Sequence, residues 1–501
     1  MAMNGFSFGG ESMRSFCSGF LLAFILLPLL LFSPEKADKE TTAGTPVRGV
    51  DLDWEKTDMP ETEASLTLST GQGQVEKKLY FSQNSEGLAY FFPNGDIFWQ
   101  QKAYDGEKPG KWIIDSQHCR LRYYDDAQKE WVILEDPESF QGREMLFISF
   151  DSDDFILSPP FAYEEIERSC LKEIPKLHGS LYLERLENDK WEIGLTWPEQ
   201  EAGKFVVRHW WMLASEAPLI DWTNPAMEEI WPVYRFTGEM RWCWYGMYQQ
   251  TPDSYKPGGE GIFFLNPASY IPCRFVLTGG SRAAEDLALA MLDLIRQNYT
   301  ESGYVPTSTG SNWLEQEYGI GAFYFDTRWN TDLAEAYLLA GEKFAVREFT
   351  HTALEYADFL CKHIETHSFS LPGMKQGVLV SDYGWRDSSV KSHCSLNHQL
   401  AEALFLYHTG VPYYISVADL LLLGIEESGL SWIKEDGDLQ YGIRTDGSFI
   451  GKDYPALTYH DLSNMQSYLE KSRGDHSKML DELIRSKAKW MEEQGIALDS
   501  R

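Results

Sequence analysis

The sequence is short of cations and of closely set cysteines. It carries 44 Lys and Arg against 76 Asp and Glu, a formal charge of -32. No basic face survives such an excess without a local cluster, which excludes nucleic acid as a partner. An acidic substrate stays open, because it needs only a few cations placed locally. The seven cysteines (Cys17, Cys119, Cys170, Cys243, Cys273, Cys361, Cys394) contain no C-x-x-C pair. Neither a zinc ribbon nor a redox motif is supported, and buried free thiols are the expectation. No loop has calcium spacing, so no cofactor or metal is predicted and Ca²⁺ is unsupported. Long uncharged apolar runs are absent but for one, Phe16 to Phe32, with Arg14 before it and Glu35 and Lys36 after. Its 17 residues sit at the low limit of a bilayer span of ~17–25 and exceed a signal-peptide core of ~7–15. Pro28 would kink a helix there.

What is present is aromatic and acidic: 14% Phe, Trp and Tyr, with 17 Trp. The organisation expected is a leader or membrane anchor at 1–33, a tether at 34–61, a β-rich domain at 62–280 and a helical domain at 281–501. The anchor predicts an extracytoplasmic protein, membrane-bound or secreted. Over 62–280 short runs such as LAYFF (88–92), MLFISF (145–150) and FVVRHWWML (205–213) alternate with turn residues. That pattern predicts a β-sandwich-like domain. From about 284 the period becomes helical, with candidates at 284–299, 328–340, 343–366, 395–409, 413–427, 459–472 and 476–494.

An internal repeat sets the expected architecture. Asn330-Thr-Asp-Leu-Ala-Glu-Ala336 recurs as Asn397-His-Gln-Leu-Ala-Glu-Ala403, 67 positions on. A period this long exceeds the ~34–47 residues of common helical solenoids. It suits a helical hairpin followed by a large loop, and the paired alanines let helices approach closely. The fold class expected is mixed: the β-sandwich-like domain, then an incomplete α/α toroid of helical hairpins. A plain helical bundle is the competing arrangement. In a toroid the loops 303–327, 377–394 and 434–458 would open on one mouth. They concentrate chemistry-bearing residues, and loops longer than ~12–15 residues are commonly functional. Arg328, Arg386 and Arg444 offer bidentate recognition of carboxylates. Trp313 offers a stacking face for a sugar ring.

At these residues the sequence resembles a known family. Ala334-Glu-Ala-Tyr337-Leu-Leu-Ala-Gly341-Glu342, Asp382-Tyr383 before Leu396-Asn397, Tyr441-Gly-Ile-Arg444, and Tyr459-His460 with Gln466 are similar to motifs in the C-terminal domain of D-glucuronyl C5-epimerases. The likeness covers about 310–494, and Ser463 stands where that family has a second histidine. The resemblance implies removal of the C5 proton of a uronate within a polysaccharide and return of a proton on the other face. It implies Tyr383, Tyr441, Tyr459 and His460 as proton-transfer groups and Arg444 as the cation on the carboxylate. Trp313, Glu315, Arg328, Asp382, Arg386, Asn397 and Gln466 would then bind substrate. The same first step serves a lyase. A glycoside hydrolase would need two carboxyl groups, from Glu315, Glu317, Asp326, Asp332 or Asp382. A non-catalytic glycan-binding protein is the fourth reading. Expected partners are an anionic polysaccharide, a membrane through the apolar segment and a second copy of the chain.

Overall fold

The computed structural model describes residues 61–200, 204–234, 238–266, 270–277, 281–386 and 388–498. The apolar run Phe16–Phe32, Cys17 and nearly all of the tether lie outside these residues. The chain divides into two compact units. One comprises Val50–His367 with Tyr383–Lys391; the other holds Ser368–Asp382 and Ser392–Arg501. The class is mixed, a large antiparallel sheet region and ten α-helices among the described residues.

The helices are α1 (Ala226–Ile230), α2 (Tyr270–Leu277), α3 (Arg282–Arg296), α4 (Asn312–Tyr318), α5 (Thr327–Phe344), α6 (Arg347–His367), α7 (Leu396–His408), α8 (Pro412–Ser428), α9 (Leu457–Tyr468) and α10 (Lys478–Glu493). The larger unit holds α1 to α6 and the major sheets. Fourteen strands form one antiparallel sheet. Its path runs Glu61–Thr70, Gly73–Phe81, Ser85–Phe91, Ile97–Ala103, Val207–Ser215, Phe161–Ile166 and on to Met240–Cys243. Val207–Ser215 is buried along its whole length, which is why Trp210, Trp211, Met212 and Leu213 run on without a polar residue between them. A four-stranded sheet of Lys111–Asp115, Lys190–Thr196, Ser180–Leu186 and Ser139–Gly142 shares its core. Trp112, Leu181, Leu183 and Trp191 from it pack with Trp99, Leu121, Ile148 and Trp210 from the larger sheet. Fully burying side chains of this size yields on the order of 1.5–3 kcal/mol each. Helix α3 is tied to the large sheet by a buried carboxylate: Lys77 Nζ and Tyr90 Oη both donate to Asp293 Oδ2 at 2.8 Å.

Helices start where the sequence supplies an acceptor. Asp326 Oδ1 accepts the Trp329 N–H at 3.0 Å and caps α5, Ser281 caps α3 and Ser477 caps α10, each satisfying an N–H that has no partner within its helix. Helices α5 and α6 pack as a hairpin. Ala334, Ala336 and Ala340 are buried on α5, and Gly341 lies where a Cβ would come within 2.3 Å of Thr350 Oγ1.

In the smaller unit α7 packs on α8 and on α9, and α9 on α10. These hairpins follow the repeat units read from sequence. All six described cysteines are buried and free. Among the described residues no helix is long and apolar enough to cross a membrane.

A buried ion cluster fastens α10. Lys487 Nζ donates to Asp438 Oδ1 at 2.6 Å and to Asp453 Oδ2 at 2.7 Å, with all three side chains shut off from solvent. Burial nevertheless pushes Asp453 up to about 6, outweighing the nearby Lys487 and the Thr458 hydroxyl. Lys487→Met should therefore cost about 3–5 kcal/mol at neutral pH, since two buried carboxylates lose their cation. The loss should shrink as pH falls towards about 6 and Asp453 takes up its proton. Urea denaturation of both proteins between pH 4 and 8 checks this, and a pH-independent difference would refute it.

Candidate functional site

In the smaller unit the chemistry gathers around Asp382. Its carboxylate is fully buried. Oδ1 accepts the Ser395 N–H at 2.8 Å and Oδ2 accepts the Ser395 hydroxyl at 2.6 Å. His393 Nε2 stands 3.1 Å from Oδ2 and His398 Nε2 stands 3.9 Å from it. Burial alone would raise this acid. The two imidazoles and the hydrogen bonds outweigh burial and hold it below the usual carboxylate range.

The backbone explains why these groups meet. The two-residue strand Cys394–Ser395 pairs antiparallel with Gly442–Ile443, which turns back on Phe449–Ile450. The ladder lays Tyr441 over His393, ring centroids 5.6 Å apart. A Cβ on Gly442 would come within 2.8 Å of His393 Cδ2, so only glycine admits the imidazole there. Gly451, at φ +70°, brings its backbone against the Tyr441 ring in a conformation that glycine adopts without strain. Tyr454 closes edge-on at 5.8 Å. Tyr441 and Arg444 are half-buried, whereas Asp382 and His393 are sealed. The result is a buried carboxylate, an imidazole and a partly exposed phenol in sequence. Arg444 begins the turn after Ile443, its N–H donating to the Ser448 carbonyl at 2.8 Å.

The other expected residues of this unit lie on α7 and α9. Asn397 is buried in the first turn of α7. Tyr459 is half-buried against Ala456, Trp490 and Met491, with the buried His460 ring 5.4 Å away. Ser463 Oγ donates to the Tyr459 carbonyl at 2.8 Å. Gln466 faces the start of α10, where its side-chain amide donates to the Ser477 carbonyl at 3.2 Å and to Asp481 at 2.9 Å.

The larger unit collects the remaining residues in an aromatic cluster. Tyr383 packs edge-on to Trp313 at 6.4 Å and to Tyr324 at 5.7 Å. Trp385 Nε1 donates to the Ala322 carbonyl at 2.9 Å, and the Arg386 guanidinium lies 4.5 Å over the Trp385 ring. Arg328 Nε donates to both oxygens of Asp332, at 2.9 and 3.0 Å. Glu315 is exposed on α4.

Sequence reasoning missed His393, Ser395 and His398. The signal was present: two of the 11 histidines follow Asp382 within 16 positions. Among the described residues no group of three or more His, Cys, Asp or Glu side chains could hold a metal ion.

No protein family and no curated protein matches the chain in sequence. Solved structures match weakly. A D-mannose isomerase is 14% identical with a TM-score of 0.34, covering 45% of this chain. A glycoside hydrolase family 76 mannosidase from Bacteroides thetaiotaomicron is 13% identical at 0.33, covering 46%. A cellobiose 2-epimerase from Bacillus thermoamylovorans is 14% identical at 0.32, covering 44%. The chain spans 59%, 59% and 57% of those proteins, less than two thirds of each. Likeness this slight carries no argument about activity.

The Asp382 geometry makes a pH prediction. Its folded pKa lies below the unfolded value of ~3.9. Its contribution is therefore fully present above pH ~4 and is lost as pH falls through the folded value. Asp382→Asn should lower stability by about 3 kcal/mol at pH 7, and the gap to wild type should close in acid. Urea unfolding at stepped pH reads this out; a gap that widens on acidification would contradict it.

Proposed function

We propose that the chain is a carbohydrate-processing enzyme that inverts C5 of a uronate within an anionic polysaccharide. The observation that supports this reading is the Asp382–His393–Tyr441 arrangement with Arg444 three residues beyond Tyr441. Inversion needs a base on one face of C5 and an acid on the other. The C5 proton leaves to one group, the electron pair spreads into the adjoining carboxylate, and a proton arrives from the second group. Nothing else is consumed. Tyr441, backed by a buried imidazole and carboxylate, suits one proton transfer. Tyr459 beside His460 suits the other. Arg444 neutralises the charge that grows on the substrate carboxylate.

Three of the five candidate carboxylates weigh against a hydrolase. Asp382 is sealed, with both oxygens already bonded. Asp326 caps α5, and Asp332 binds Arg328. A glycosidase needs two carboxyl groups that reach the scissile bond. A lyase shares the C5 proton abstraction and remains the second reading. The expected setting is extracytoplasmic, with the chain held at a membrane or secreted.

Incubation with uronate-containing polysaccharides in D₂O, followed by NMR, tests the reading. Deuterium at C5 with an inverted sugar is the expected result. An unsaturated product would assign a lyase, and no exchange on any uronan would overturn proton abstraction altogether. Arg444→Gln should lower kcat/KM about 10²–10³-fold, as for loss of one charge-stabilising donor.

A further inference from the structure

The sheet region holds a cavity of about 250 Å³. At ~30 Å³ per water it has room for about eight waters, or one six-membered sugar ring with its substituents. Its walls come from Ser158–Phe161, the turn around Pro175–Gly179, the strand Val207–Ser215 and the strand Met240–Cys243.

The charges in it are placed, not scattered. Arg241 is fixed on all sides: Nη2 donates to Glu173 Oε1 at 3.1 Å, Nη1 donates to the Met240 carbonyl at 3.0 Å, and the guanidinium lies over Phe161 and Phe263 at 5.0 and 4.9 Å. Arg143 is exposed at the mouth, which it shares with a smaller cavity of about 80 Å³. With Glu173 opposing two arginines, the lining carries one net positive charge in a chain at -32.

The histidines add neutral donors and acceptors. His178 Nε2 lies 3.3 Å from Glu173 Oε1 but is not aligned to hydrogen-bond with it, and the buried nitrogen stays unsatisfied. Burial, with Arg241 and Arg143 nearby, lowers His178 to about 4, so the ring is neutral at physiological pH. On the floor, His209 Nε2 meets Gln100 Oε1 at 3.2 Å, both fully buried. Trp211 and Trp242 pack together beside them at 5.1 Å. A buried polar atom without a partner is expensive, and a hydroxyl placed against His178 would satisfy it.

We propose that this cavity is a binding site for a singly charged, hydroxylated carboxylate of one sugar ring. The carboxylate faces Arg143 and Arg241, the hydroxyls meet His178 and Glu173, and the ring lies against the aromatic wall. The choice of a uronate as occupant rests on the proposed substrate class; the cavity and its cations do not.

The test titrates the intact chain with sodium D-glucuronate and, separately, D-glucose, following tryptophan fluorescence and saturation-transfer NMR. Saturable glucuronate binding is expected, with glucose at least about tenfold weaker for want of the charge-assisted bonds. Arg143→Ala, at an exposed position that leaves the fold intact, should weaken glucuronate about tenfold. Tyr441→Phe should leave it unchanged. Equal binding of glucose and glucuronate, or wild-type affinity in Arg143→Ala, would overturn the proposal. So would loss of binding in Tyr441→Phe, which would put the ligand at the Tyr441 hairpin instead. Arg143-dependent binding together with no C5 exchange would leave the cavity site standing and remove only the epimerase reading.

Discussion

A carboxylate taken out of water must be surrounded by donors, and Asp382 organises the smaller unit on that condition. Isolated burial of an ionised acid is prohibitive. The structure meets the cost with one backbone N–H, one hydroxyl and two imidazoles. Each of these groups comes from the segment His393–His398, so the acid fixes how the chain enters α7. That entry sets the strand Cys394–Ser395, and the strand sets where Gly442–Ile443 and hence Tyr441 and Arg444 lie. The phenol of Tyr441 is thus positioned by a carboxylate that is itself sealed from solvent.

The same rule recurs with different partners. Asp293 ties α3 to the sheet through Lys77 and Tyr90, and there too the cation and hydrogen bonds overcome burial and keep the acid below its usual range. Around Lys487 the balance tips the other way, and Asp453 is raised. Two acids around one ammonium share a single compensating charge, whereas Asp382 has two imidazoles and Ser395 to itself. Buried ion clusters that lose a partner are far costlier than surface pairs, which makes these three points the fasteners of their elements.

Much of the fold was legible because its signals are local. The 3.6 period marks α3, α5, α6, α7, α8 and α10 within a few residues of their observed ends, and the Asn-x-x-Leu-Ala-Glu-Ala repeat foretells the start of two hairpins. Helix α4 was hidden inside an expected loop. Its seven residues are too few for a period, and its limits rest on the Ser311 cap and on Gly319 in the left-handed region. Helix α2 was missed because Pro272 interrupts a short apolar run. The site was legible in part. Asp382, Tyr441 and Arg444 stood out by type and spacing. The approach of Tyr441 to His393 did not, because it depends on a two-residue strand pairing across about fifty positions, which no periodicity encodes. The sheet cavity was invisible for the same reason: Arg143, His178 and Arg241 come from distant segments.

The central claim is that the phenol of Tyr441, backed by His393 and Asp382, moves the proton at C5. The most direct measurement is the rate of C5 deuterium exchange in Tyr441→Phe, which removes one oxygen from a half-buried ring. The account predicts a fall of about 10²–10⁴-fold, the usual worth of a positioned acid or base, with an unchanged melting temperature. Exchange at the wild-type rate in a folded Tyr441→Phe protein would contradict it.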